Sequence, residues 1–389
     1  MTEATPVYLD HAASTPLDAA VTEAVLRALA CQGSPDALHP AGTAALELLE
    51  HARAQVAALI GADPDEVLFT AGATEARNLA VKGLLSANRA LGRHAVASMI
   101  EHPAVLSALR SRMRDGDEVT FVGVDSDGQI APEVIASAIT PVTALASIHH
   151  AQHEIGTIQD LALLIPAMRD RREDVRIHVD ATASVGVIEI DVAALGADAL
   201  SLGGTALGAP AWTGALWLRP GARLHPLIEG GAQEFGKRAG PVDLAGAVAL
   251  GVAAERVRAH IVTRAAKRRR QTRLLADRVL AVPDVRLNGP PVDVRLPGNL
   301  QVSVRGITGE SLALALATRG VYVSPGSTCT ADAGKASPTL EAIGCGPTWT
   351  HSAILMTIGD TTTDHELLSA GEVVASVVAD LRAMSPLDA

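Results

Sequence analysis

Apolar runs of strand length alternate with amphipathic helices along the first two thirds of the chain. The clearest helix runs from Thr43 to Ile60, where apolar residues recur at helical spacing. Strands are predicted at Val7 to Asp10, Glu66 to Thr70, His94 to Met99, Glu118 to Val122, Thr143 to His149, Ile177 to Asp180, Ala199 to Leu202 and Ala215 to Leu218. This alternation predicts a mostly parallel sheet that helices cover on both faces.

The pattern changes after Pro283, where strands and helices mix in a smaller α+β arrangement. We therefore expect an N-terminal segment 1–17 that joins the small domain, a large domain 18–260 and a C-terminal small domain 261–389. The helix from Arg264 to Leu280 has one very basic face. A solvated surface explains that face better than nucleic-acid binding, because the chain as a whole is acidic.

Composition narrows the class of protein. The 389 residues carry a net charge of -11, which argues against nucleic acid or an anionic membrane as the main partner. No apolar run approaches the roughly 18 to 20 residues that span a bilayer, and no signal peptide is evident. Three cysteines are too few and too scattered for a disulfide framework or a four-ligand metal site. We expect a cytoplasmic protein without a metal.

Two stretches carry candidate chemistry. Asp180 ends an apolar strand, and a carboxylate there needs a cationic or hydrogen-bonding partner. In open α/β sheets ligands bind at such carboxyl ends. The turn Gly72, Ala73, Thr74 opens a helix and offers backbone N–H groups to an anion. By spacing alone, an ordinary N-cap at Thr74 is the better explanation of that turn.

These stretches resemble the cysteine desulfurase family, the class V branch of fold-type I pyridoxal-phosphate (PLP) enzymes. The resemblance rests on VYLDHAASTP near the N-terminus, the VDA strand that holds Asp180, and the GSTCT loop around Cys329. It extends from Val7 to Gly359. It implies an α/β large domain with a mixed, mostly parallel seven-stranded sheet, and a smaller C-terminal α+β domain. It also implies a homodimer in which Gly230 to Val242 approaches the neighbouring pocket.

The resemblance assigns roles to residues of this chain. Asp180 would pair with the ring nitrogen of PLP, and His153 would lie where a side chain contacts the ring hydroxyl. His102 would stack on the ring and serve as a catalytic group, and Cys329 would attack the substrate sulfur. The phosphate would bind at Gly72, Ala73 and Thr74.

The same comparison shows departures from the family pattern. Ala206 stands where the family has the lysine that forms a Schiff base, and alanine cannot form one. Further changes fall in the same pocket, at Ala183, Gly203, Thr205, Pro241 and Leu355. We therefore expect no covalently bound PLP, with PLP possible only noncovalently or through a substitute lysine.

Three functions remain open. The first is a desulfurase-like protein with a degenerate PLP site, independent of PLP, that acts on or carries sulfur through Cys329 or binds a small anionic ligand. The second is a working PLP-dependent desulfurase or lyase with a substitute lysine, Lys237 or Lys335. The third is a non-catalytic pseudoenzyme that pairs with a partner. A sulfur donor or acceptor protein is a possible partner in each.

Overall fold

The structure is a computed structural model that describes residues 6–326 and 336–384. Its strands are β1 (Val7–Tyr8), β2 (Val67–Thr70), β3 (His94–Ser98), β4 (Glu118–Val122), β5 (Thr143–His149), β6 (Arg176–Asp180), β7 (Ala199–Gly203), β8 (Gly214–Leu218), β9 (Val285–Leu287), β10 (Asn299–Val304), β11 (Val321–Tyr322), β12 (Ser324–Pro325) and β13 (Ala353–Thr357).

The helices alternate with these strands. They are α1 (Ala19–Leu29), α2 (Pro40–Ile60), α3 (Ala73–Ala87), α4 (Pro103–Arg114), α5 (Pro132–Ala138), α6 (Leu161–Arg171), α7 (Val192–Leu195), α8 (Gly204–Leu207), α9 (Gln233–Gly236), α10 (Leu244–Val279), α11 (Gly309–Thr318), α12 (Pro338–Ala342), α13 (Pro347–Thr350) and α14 (Asp364–Met384).

The large domain is built on a seven-stranded sheet in the order β2-β8-β7-β6-β5-β3-β4. Strand β8 runs antiparallel to both of its neighbours, and the other pairs are parallel. Apolar side chains of α3 and α4 cover one face, and those of α2, α6 and α10 cover the other. The predicted fold, a mixed and mostly parallel sheet covered on both faces, is therefore confirmed.

A smaller α+β unit follows in the chain. Its antiparallel sheet has the order β12-β13-β10-β9, and α11 and α14 pack with it in a second apolar core. Strand β1 pairs in parallel with β11, so the N-terminal segment joins this unit. The smaller C-terminal α+β domain is also confirmed.

Helix α10 belongs to both cores. Its first half, with Leu250 and Ala253, packs in the large core, whereas Leu275 and Val279 pack in the small one. The helix continues through residue 260 without a break. The division of the chain at that residue therefore stays a proposal, which is supported by the passage of α10 from the large core to the small one.

The basic face of α10 is neutralised within the protein. Arg264 and Arg268 both bind Asp360, and Arg270 binds Asp364. Of the three arginines, only Arg270 is exposed, so this part of the face is held by carboxylates of the protein itself rather than by solvent, and its charge is not free for a nucleic acid. In the part of the chain that the structure describes, no helix is long and apolar enough to cross a membrane.

Candidate active site

A cavity of about 450 Å³ lies where the large sheet meets the small domain. The start of α3, the loop that follows β6 and the short helix α8 form its wall on the large-domain side. Residues of β10, β12 and β13 and the loop after β1 form the opposite wall. The cavity thus occupies the carboxyl edge of the parallel strands, where ligands bind in open α/β folds.

The N-terminus of α3 opens into this cavity. Gly72 is the N-cap, with a left-handed φ of 92° that glycine adopts without strain, and no side chain caps the helix there. Ala73 and Thr74 line the cavity, so the uncapped N–H groups of the first turn are available to an anion. Thr74 lies inside the helix and does not cap it, so the N-cap alternative is wrong.

Gly203 keeps this helix end close to the sheet. A Cβ atom at Gly203 would lie 2.6 Å from Thr182 Cγ2 and 3.0 Å from Ala73 Cβ. A side chain at this position would therefore push the start of α3 away from β7. Glycine at position 203 offers no polar side chain to a ligand, but it allows the start of α3 to pack closely against the end of β7.

Asp180 is bound by groups of the protein itself. Its Oδ2 accepts a hydrogen bond from Arg77 Nε at 2.6 Å, and its Oδ1 accepts one from Ser201 Oγ at 3.1 Å. Burial of Asp180 opposes its ionisation, but the charge of Arg77 outweighs this and holds the pKa of the carboxyl well below its usual range. Arg77 lines the cavity, whereas Asp180 lies behind it.

Two histidines stand beside the ion pair. The rings of His102 and His153 lie 4.8 Å apart with 50° between their planes, and both line the cavity. Burial and then the charge of Arg77 lower the pKa of His102 to about 4, so its imidazole is neutral at pH 7. Its Nδ1 accepts a hydrogen bond from the Ala104 N–H at 3.0 Å. The ring proton is therefore assigned to Nε2.

The remaining wall is apolar. Ala206 and Ala183 line the cavity on the large-domain side, and Leu355 lines it on β13. Among the lysines that the structure describes, none lines this cavity. Lys267 donates to the Asp360 carbonyl and lines a neighbouring cavity instead.

The structure brings together most of the predicted site residues. The helix start at Gly72 to Thr74, His102, His153 and Asp180 meet around one cavity, with Ala206 in its wall. Their roles remain predictions. Cys329 and Lys335 lie outside the described residues.

Sequence reasoning missed two arginines. Arg77 follows Thr74 by three residues, which places both on the same face of α3, and this spacing is the signal that could have found it. Arg268 reaches the cavity from α10, far along the chain, and no local pattern marks it.

Comparison with known proteins gives the family. The sequence profile of the aminotransferase class V family, described as "Aminotransferase class-V", matches residues 7–351. The chain belongs to this family. Cysteine desulfurase IscS 1 of Archaeoglobus fulgidus is 38% identical over 381 residues, which are 98% of this chain and 99% of the relative. Cysteine desulfurase IscS of Azotobacter vinelandii is 36% identical over 388 residues, 98% of this chain and 95% of the relative.

Solved structures agree. A NifS-like protein superposes with a TM-score of 0.91 at 27% identity, over 97% of this chain and 100% of that chain. The structure described as "SspA in complex with cysteine" superposes with a TM-score of 0.80 at 31% identity, over 90% of this chain and 98% of that one. Within the class V family, the chain is a member of the cysteine desulfurase group.

These relatives correct the prediction about the cofactor. We expected no covalently bound PLP, but the chain matches PLP-dependent cysteine desulfurases over nearly its whole length, and in that family PLP is bound covalently. PLP is therefore the cofactor that the family implies. The comparisons also give no support to a pseudoenzyme.

The residues around the cavity fit several parts of the PLP molecule. The N–H groups at the start of α3 are placed to bind the phosphate of PLP, and the neutral imidazole of His102 is suited to stacking on the PLP ring. Two positions differ from the family arrangement: residue 206 is an alanine and supplies no amine, and Arg77 rather than Asp180 faces the cavity.

Proposed function

We propose that this chain releases sulfur from cysteine or a closely related amino acid with PLP, using a lysine other than residue 206. The observation that carries the proposal is the single cavity that joins the uncapped start of α3, His102 and the small-domain wall. The near-complete match to cysteine desulfurases supports it. When bound, PLP supplies an electron sink for breaking bonds next to the amino group of a substrate.

Several polar groups of the cavity have roles in this proposal. The N–H groups of Ala73 and Thr74 hold the phosphate, which the helix dipole also favours. His102 carries its proton on Nε2 and can donate it there. Arg268 lines the cavity, and its Nε and Nη2 bind Asp360. Among the described residues its Nη1 has no hydrogen-bond partner, so this group is assigned to the substrate carboxylate in place of an arginine at Leu355.

The amine is assigned to Lys335 or Lys237. Lys335 follows Cys329 by six residues in a stretch whose described flanks border the cavity. Ser324 lines the cavity before that stretch, and after it Ser337 Oγ donates to Glu154 Oε2 at 2.6 Å, where Glu154 also lines the cavity. Lys237 is the C-cap residue of α9, in the segment expected to approach the partner's cavity in a dimer.

A homodimer is part of the proposal. Large apolar side chains are exposed on the segment expected to cross between protomers and beside it, with Trp212 65% and Phe235 48% exposed. Light scattering should return twice the mass of one chain at micromolar concentration. A monomer at that concentration would contradict the dimer.

Sulfide release tests the function. The full chain is incubated with PLP, L-cysteine and a thiol reductant, and sulfide is measured for the native protein and for Cys329→Ser, Lys335→Met and Lys237→Met. We expect release from the native protein, loss in Cys329→Ser, and loss in one of the two lysine variants. Release that persists in all three variants would contradict the proposed roles, and no release from the native protein would contradict the activity.

A second function is favoured by one observation, the absence of any described lysine from the cavity wall. In this alternative Cys329 accepts sulfur from a persulfide on a donor protein, and the donor leaves as a thiolate. A mass increase of one sulfur atom on Cys329 after incubation with a persulfide, without sulfide release from L-cysteine, would favour it over the first.

A further inference from the structure

Three donors of the protein hold the carboxylate of Asp180 before any ligand enters the cavity. Arg77 Nε holds Oδ2 at 2.6 Å, while the Thr182 N–H and Ser201 Oγ each hold Oδ1 at 3.1 Å. Both members of the ion pair are buried. Because Arg77 lines the cavity and Asp180 does not, a cationic ring nitrogen in the cavity would reach this carboxylate by displacing Arg77, which would leave a buried guanidinium without its partner.

Arg77 is the member of the pair that faces the cavity. Within the described part of the chain, its Nη1 and Nη2 atoms make no hydrogen bond. A guanidinium has only donors and keeps its charge, so it binds an acceptor and repels a cation. The neighbouring imidazoles of His102 and His153 are neutral, because burial lowers the pKa of both. The two imidazoles therefore leave the positive charge of Arg77 in the cavity unchanged.

We propose that Arg77 determines which form of the cofactor ring this cavity accepts: it donates a hydrogen bond to an unprotonated ring nitrogen and excludes a cationic one. This inference rests on the proposed binding of PLP in the cavity. It assigns Asp180 a positioning role, because its carboxylate orients the guanidinium and does not touch the ring. It reverses the pairing that the family resemblance assigns to Asp180.

Ring analogues test the inference by equilibrium binding. Bound cofactor is first removed from the full chain with hydroxylamine and dialysis. Dissociation constants of PLP and of PLP methylated at the ring nitrogen, a fixed cation, are then measured by calorimetry. The proteins are the native chain, Arg77→Asn, Arg77→Asn with Asp180→Asn, and Arg268→Gln. The last variant removes another cation of the same cavity and is the matched control.

The native chain should bind PLP at least about tenfold more tightly than the methylated form, the ratio that one pKa unit of preference gives. In Arg77→Asn the exposed Asp180 should reverse this ratio, and the double variant should show little preference. Arg268→Gln should keep the native ratio. The double variant buries no unpaired charge, so it covers the case in which Arg77→Asn fails to fold.

Three results would overturn the inference. Equal or tighter binding of the methylated form by the native chain is the first. A ratio that Arg77→Asn and the double variant leave unchanged is the second, and in that case the proposed binding of PLP would survive. Failure of the native chain to bind either compound is the third, and it would remove the proposed function as well.

Discussion

The ion pair of Arg77 and Asp180 predicts a strong coupling between two substitutions. Asp180→Asn leaves a buried guanidinium without a counter-charge, and Arg77→Asn leaves a buried carboxylate with only its two other donors. Removing one member of such a pair costs about 3–5 kcal/mol of unfolding free energy. The double variant removes both charges and should lose less than the sum, by about 2–3 kcal/mol or more.

Urea denaturation measures this coupling. Tryptophan fluorescence is a suitable signal, because Trp217 is buried in β8 and its Nε1 donates to Glu66 at 2.8 Å. All variants are compared at one protein concentration, since a dimer makes stability depend on concentration. Glu23→Gln, in an exposed pair with Arg27, is the control and should change stability by less than about 1 kcal/mol. Losses for Arg77→Asn and Asp180→Asn that add within about 0.5 kcal/mol would refute the reasoning.

Three further predictions follow from described contacts. Ala206→Lys restores an amine in the cavity wall, so borohydride reduction with PLP should place the pyridoxyl group on position 206; a group that stays elsewhere would contradict the placement. Glu234→Gln should lower the unfolding free energy by about 1.5–3 kcal/mol in urea, because it removes the buried carboxylate that binds Arg53 at 2.8 and 2.9 Å and leaves only the partly exposed Glu50, 3.2 Å from Arg53 Nε, as counter-charge. A loss no larger than in Glu23→Gln would contradict this. Stability should fall as pH drops from about 6.5 towards 4, because burial lowers the pKa of four histidines to about 4 and the unfolded chain then binds more protons; a urea midpoint equal at pH 7 and pH 5 would contradict this. These histidines are His11, His102, His150 and His178.

The sequence allowed the fold and the place of the site to be predicted for one physical reason. Alternating strands and helices force a parallel sheet, and the carboxyl ends of parallel strands meet at one edge. Residues that follow different strands, such as Thr74, His102 and Ala206, therefore meet at the cavity although they are far apart in the chain.

The charges within the site could not be predicted in the same way. The partner of Asp180 is Arg77, which lies 103 residues earlier in the chain, and the ion pair depends on how α3 packs on β6. The Arg53–Glu234 pair spans 181 residues and depends on the path of the segment around α9. Such contacts follow from tertiary packing, which no local spacing encodes.

The absence of PLP was predicted wrongly for a related reason. The prediction weighed one side chain, Ala206, against a framework that matches the family along nearly the whole chain. A missing lysine at one position excludes an amine only at that position. Lys237 and Lys335 were judged from their place in the sequence, which does not fix what they reach in the folded dimer.

Peptide mapping after borohydride reduction tests the central claim most directly. The full native chain is incubated with PLP, reduced, digested and analysed by mass spectrometry, with an unreduced sample as the control. The account predicts one pyridoxyl group per chain, on Lys335 or Lys237, and its loss when that lysine is replaced by methionine. A reduced protein without a pyridoxyl group, or with one scattered over Lys82 and Lys267, would contradict the account.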